Sequence, residues 1–265
     1  MVTAPVGAGF TERHLEADGF AIRYLDGGDG PALCCFHGAG GLQLSRSHEL
    51  LAASHRVVAF ELPGFGRSPV NDRTDTLRQL GRTMARAIEA IGLHTTSLWG
   101  TSFGGKLALW CALDHPQLVD ALVLAAPAAI RDGRPLPDGP ALARALYAHP
   151  DRVPTEPPLS SQVLDQQRAL TARLIGPARD AQLEAAMAGL ATPTLVLFGT
   201  EDTITPPELG RHYRRLLPNA QLVLLYDAAH ALDRDRPEAF AGTVAEFLAR
   251  RDQFVVRQDS GLRYP

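Results

Sequence analysis

Short apolar runs alternate along this chain with stretches whose apolar residues recur every three or four positions. TERHLEADG and FAIRYLDGG read as two strands joined by a tight Asp18-Gly19 turn. PALCCFHGAGG contains a buried strand over Ala32–Phe36 that ends in glycines, and HRVVAFELPG is a second run of this kind. The residues between them, 42–54, have helical composition. Over 75–92, Leu77, Leu80, Met84, Ile88 and Ile91 are spaced 3, 4, 4 and 3, which draws one face of a helix. TSLWG is then a strand, FGGKLALWCAL a helix with Phe103, Leu107, Trp110 and Cys111 on one face, and LVDALVLAAP a strand.

The alternation breaks at residue 128. Arg131–Pro158 holds seven prolines in 28 residues, a density that excludes long helices and central strands. Leu159–Leu190 turns helical, interrupted at Gly176-Pro177. The alternation resumes with the strand TPTLVLFG. A capping box at Thr205-Pro206-Pro207-Glu208 predicts a helix, AQLVLLYD a strand, and Asp235-Arg236-Pro237-Glu238 the N-cap of a last helix carrying Phe240, Val244, Phe247 and Leu248. The pattern predicts an α/β fold: a mostly parallel, doubly wound sheet with helices on both faces. Its core comprises residues 1–127 and 192–265, and 128–191 form an insertion. In such sheets ligands bind beyond the carboxyl ends of the strands.

Composition narrows the function classes. The 265 residues carry a net charge of −3, and all but one of the 26 basic residues, Lys106, are arginines that do not cluster. That excludes the basic field on which nucleic-acid binding depends. No apolar stretch approaches the length of a membrane span, and the start of the chain lacks the pattern of a secretory signal. Cys34, Cys35 and Cys111 are expected as reduced core residues of a cytoplasmic protein.

The candidate chemistry falls at predicted strand ends. Gly100-Thr101-Ser102-Phe103-Gly104 matches G-x-S-x-G between a strand and a helix, a turn that presents the serine hydroxyl clear of the sheet. A serine at neutral pH needs a base and the base needs an orienting acid. His230, after AQLVLLYD, is the candidate base among nine histidines. Asp202, after TPTLVLFG, is the candidate acid, with Glu201 and Asp132 as competitors. The glycine-rich loop His37-Gly38-Ala39-Gly40-Gly41 is expected to supply one oxyanion-hole N–H, from Ala39 or else Gly40, and Phe103 the other. His37 itself reads as structural. No cofactor or metal is expected.

HGAGG, ELPGFGRS, GTSFGG, LFGTEDTITPP and DAAHALDRDRPEAF, in this order, make residues 10–250 resemble the α/β-hydrolase fold superfamily. Glu61 stands in ELPGFGRS where relatives usually have Asp. The resemblance implies that 128–191 are a helical cap lining the substrate pocket. It also implies a serine hydrolase of small esters or related acyl compounds. Two alternatives stay open. One is a carbon–carbon bond hydrolase, which would need a cation such as Arg144, Arg152, Arg168 or Arg173 to hold a substrate carboxylate. The other is a slow-turnover small-molecule receptor. Neither the substrate nor the oligomeric state is legible.

Overall fold

The computed structural model describes residues 6–152 and 159–254. Strands β1 (Phe10–Ala17) and β2 (Phe20–Gly27) form the hairpin, its turn closed by Asp18 and Gly19, both at positive φ. Two left-handed residues match the strand twist, which is why Asp-Gly marks such turns. Then follow β3 (Ala32–Phe36), α1 (Arg46–Ala52), β4 (Arg56–Phe60), α2 (Leu77–Ala90), β5 (Thr96–Thr101), α3 (Phe103–Asp114) and β6 (Val119–Ala125). Between β6 and β7 lie α4 (Gly139–Leu146), α5 (Ser161–Leu174) and α6 (Ala181–Met187). The chain continues with β7 (Thr194–Gly199), α7 (Gly210–Leu216), β8 (Ala220–Leu225), α8 (Leu232–Asp235) and α9 (Pro237–Arg250).

The eight strands form one sheet in the order β1-β2-β4-β3-β5-β6-β7-β8. From β3 to β8 every pairing is parallel, and β2 joins antiparallel to β4. The chain leaves β3 for β4 on one side and returns to β5 on the other. The crevice at the carboxyl ends of β3 and β5 is therefore the switch point at which such sheets bind ligands. One face is covered by α2, α3, α6 and α7 and the other by α1, α8 and α9, each over its own apolar cluster. Among the described residues, no helix is long and apolar enough to cross a membrane.

Three local readings need correction. The first helix starts only at Arg46, because Ser45 and His48 close a capping box there and 42–45 remain loop. Helix α3 has no solvent face: ten of its 12 residues are buried, between the sheet and the α5–α6 segment. Thr205 caps no helix; a short 3-10 turn over Pro207–Leu209 precedes α7, and the threonine hydroxyl is used elsewhere.

Candidate active site

Ser102 joins β5 to α3 with φ 52° and ψ −111°, a left-handed backbone that a β-carbon disfavours. The surroundings hold it there. Its N–H donates to Ala125 O at 2.9 Å, and its carbonyl accepts from Gly105 N and Ala128 N, each at 2.9 Å. The flanking glycines are required by close approach. A β-carbon at Gly104 would overlap the carbonyls of Phe36 and His37, and one at Gly100 would overlap Gly104 O. Helix α3 can begin this close to β3 only without side chains at those positions.

The loop after β3 meets Ser102 across the switch point. A β-carbon at Gly38 would lie 3.6 Å from Ser102 Cβ. The loop is a turn closed by Gly41 N–H donating to Gly38 O, with Gly41 at φ 93° and Ala39 and Gly40 between its ends. Phe103 is the first residue of α3, so its N–H has no acceptor inside the helix. His37 is fixed on both ring nitrogens: Nδ1–H donates to Gly38 O at 2.7 Å, and Nε2 accepts from Leu62 N–H at 3.0 Å. Burial pushes its pKa down to about 4, so the ring is neutral and serves the turn. Glu61 is likewise architectural, accepting from Arg23 Nη2 of β2 and from Arg67 N and Ser68 Oγ of its own loop.

At the other side of the crevice, Asp202 follows β7 and His230 follows β8. His230 Nδ1–H donates to Asp202 Oδ2 at 2.9 Å, and both residues are buried. The other carboxylate oxygen accepts from Ile204 N at 2.8 Å and Thr205 N at 2.9 Å, and Thr205 Oγ1–H donates to Oδ2 at 2.7 Å. The loop bearing His230 crosses the end of β7 because Gly199 has no side chain; a β-carbon there would overlap Ala228 O and Ala229 O. The two competing acids lie elsewhere. Glu201 is exposed and accepts from Thr200 Oγ1, and Asp132 is paired with Arg134 at the surface.

Ser102, His230, Ala39 and Gly40 line one cavity of about 650 Å³. Among the described residues, the Ser102 hydroxyl makes no hydrogen bond to His230. Catalytic contacts of this kind are often long before substrate binds. The segment between β6 and β7 closes the cavity with Leu136, Leu142, Leu146 and Leu164. It is tied down at several points. Gln167 Oε1 accepts from Gly66 N at 2.8 Å, Lys106 Nζ donates to Ile175 O at 2.8 Å, and Ala231 N donates to Leu146 O at 2.8 Å. Asp235, expected to cap α9, instead accepts from Ala148 N and Ala229 N, joining this segment to the His230 loop.

Of the cations expected to face the site, Arg168 lines the cavity and pairs with Asp165. Arg173 donates to Asn71 O, and Arg144 is exposed outside the lining. The side chain of Arg152 lies outside the described residues. Sequence reasoning missed three lining residues, His48, Asp233 and Arg234. It also missed the role of Thr205, although the spacing Asp202-x-x-Thr205 is typical of a carboxylate that gathers donors from its own turn. No group of metal-ligating side chains is present among the described residues.

Residues 33–243 match the Alpha/beta hydrolase family. Among its relatives, a 2-hydroxymuconate semialdehyde hydrolase of Pseudomonas putida is 29% identical over 276 residues, 91% of this chain and 95% of its own. A pimeloyl-[acyl-carrier protein] methyl ester esterase of Neisseria meningitidis is 30% identical over 75% of this chain and 85% of its own. Among solved structures, a meta-cleavage product hydrolase from Pseudomonas fluorescens IP01 superposes with a TM-score of 0.76, at 20% identity, over 89% of this chain and 97% of that one.

Proposed function

This chain belongs to the alpha/beta hydrolase family, and from that premise we propose that it is a serine hydrolase of small esters or related acyl compounds. Ser102 is the nucleophile, His230 the base and Asp202 the orienting acid. Residues 128–191 serve as the cap. The observation that carries the reading is the 2.9 Å bond from His230 Nδ1 to a buried, fully hydrogen-bonded Asp202, on the cavity that also holds Ser102 in its left-handed turn.

In this mechanism His230 Nε2 takes the proton of Ser102 as the hydroxyl attacks the substrate carbonyl. Asp202 selects the tautomer with the proton on Nδ1 and stabilises the imidazolium. The N–H groups of Phe103 and Ala39 receive the developing oxyanion. His230 then protonates the leaving alcohol, and water attacks the acyl-enzyme by the same route. The reaction so written needs only these groups and water. The test is a panel of chromogenic esters of increasing acyl length, run beside Ser102→Ala. Normal ester turnover by the purified variant would refute the mechanism.

A second reading, carbon–carbon bond hydrolysis of a carboxylate-bearing substrate, is favoured by Arg168 on the cavity wall and by the similarity to the Pseudomonas putida hydrolase. A large preference for a dienoate over simple aryl esters would put it first.

A further inference from the structure

One end of the cavity is built by the sheet and helices α1 and α8, and the reaction described above leaves its polar groups unused. His48, Asp233 and Arg234 line it beside Cys35 and Trp99. His48 is the third residue of α1, and its Nδ1 accepts from Ser45 N–H at 3.1 Å. A ring nitrogen that accepts from an N–H carries no proton, so in the neutral ring the proton is on Nε2. Burial keeps the ring neutral, with its pKa pushed down to about 3. His48 is 6% exposed, and its Nε2 is neither bonded to protein among the described residues nor sealed from the cavity. The ring lies on Trp99 with centroids 4.4 Å apart, which holds its direction. Ser45 Oγ lies 3.0 Å from His48 Nδ1, and burial raises the pKa of the Asp233 carboxyl.

We infer that this end of the cavity is a subsite for an uncharged hydrogen-bonding group at the far end of the acyl chain, a primary carboxamide above all. Its carbonyl accepts from His48 Nε2–H and its NH₂ donates to Asp233. This rests on the serine-hydrolase reading. Either charge is opposed here: a carboxylate would face Asp233, and an ammonium would face the His48 N–H and Arg234. The acyl part is assigned to this end because the walls are closed. Trp99 is 2% exposed and Cys35 5%, whereas Leu136 on the insertion wall is 64% exposed. The buried end suits the part that stays bonded to Ser102 while the alcohol leaves. Trp99 Nε1 donates to Thr101 Oγ1 at 3.0 Å, so the indole lines the wall from the residue next to Ser102 inward, and a six-carbon acyl chain serves as the probe.

The experiment compares the p-nitrophenyl ester of adipic acid monoamide with its isopropyl-terminated isostere and with the ester bearing a free terminal carboxylate. The wild-type protein is expected to favour the amide over the isostere by about tenfold or more in kcat/KM, because a site built to hydrogen-bond rejects an analogue that cannot. The carboxylate ester should also fall below the amide. In His48→Phe and Asp233→Leu the amide-to-isostere ratio should collapse towards one. His48→Phe also removes a helix cap, so Asp233→Leu and the wild-type ratio, which needs no variant to fold, keep the test open. A wild-type ratio near one, an unchanged ratio in a folded variant, or a preference for the carboxylate overturns the subsite. Ester turnover retained by Ser102→Ala would refute the hydrolase reading itself; a dead Ser102→Ala with a flat ratio refutes the subsite alone.

Discussion

On the sheet side of the cavity, Asp202 is 3% exposed and its carboxylate accepts from Ile204 N, Thr205 N, Thr205 Oγ1 and His230 Nδ1. On the insertion side, Leu136 is 64% and Leu164 36% exposed, and both offer the cavity only apolar surface. The sheet side is held by backbone groups at strand ends, which few other sequences could place so closely. The insertion side is held at a few points, by Gln167, Lys106 and the Asp235 contacts, and its leucines could be exchanged with little effect on the fold. On the proposed reading the groups that move the proton stand on the first side, and the second adds an apolar wall to the substrate cavity.

The largest expected effect comes from the sheet side. Ser102→Ala should lower ester turnover by about 10⁴–10⁶ with the unfolding midpoint unchanged or raised, since the left-handed strain does not depend on the hydroxyl. Asp202→Asn should cost about 10⁴ in kcat, through the wrong histidine tautomer. A decrease below tenfold in steady-state assays would mean that Asp202 does not orient the base. Thr205→Val sharpens the comparison, because it removes one donor from Asp202 and leaves the backbone donors in place. A drop of about tenfold in kcat/KM is expected, the value of one hydrogen bond to a charged group. An unchanged rate would reduce Thr205 to packing.

Stability should depend on pH through the sheet side as well. The His37 pKa is lowered from 6.5 to about 4 by burial. Below 6.5 the unfolded chain binds a proton that the folded chain refuses. The contribution is therefore complete above that pH and is lost progressively as the pH falls towards 4. Urea unfolding at about pH 7 and about pH 5 should show the loss, and a flat result would contradict the buried neutral ring. The smallest effect belongs to the insertion. Leu136→Ala should change stability by less than about 0.5 kcal/mol while shifting the preferred acyl length in the ester panel. A large drop in unfolding temperature would place Leu136 in the structural core instead.

Much of this is legible in the sequence alone. Strand β3 is bounded as its apolar run suggests, and α2 begins one residue after Thr76, which caps it. G-x-S-x-G could be read because its glycines answer a local need, a strand turning at once into a helix. The misread residues share another cause. Thr205 and Asp235 carry good helix-capping patterns, yet both side chains have other partners: Asp202 in the same turn and His230 from the next loop for one, nearby Ala229 and distant Ala148 for the other. His48 reads from the sequence as a surface-like histidine, and only the fold sets it against Trp99 and the cavity.

The order of apolar periods and the punctuation by glycine and proline determined the sheet, its helices and the strand ends at which reactive side chains stand, because each depends on near neighbours in the chain. That His230 reaches Asp202, which leucines face the cavity and that His48 and Asp233 share it with Ser102 were decided by contacts between residues far apart in sequence. Those contacts exist only once the strands are ordered, and no local pattern encodes them.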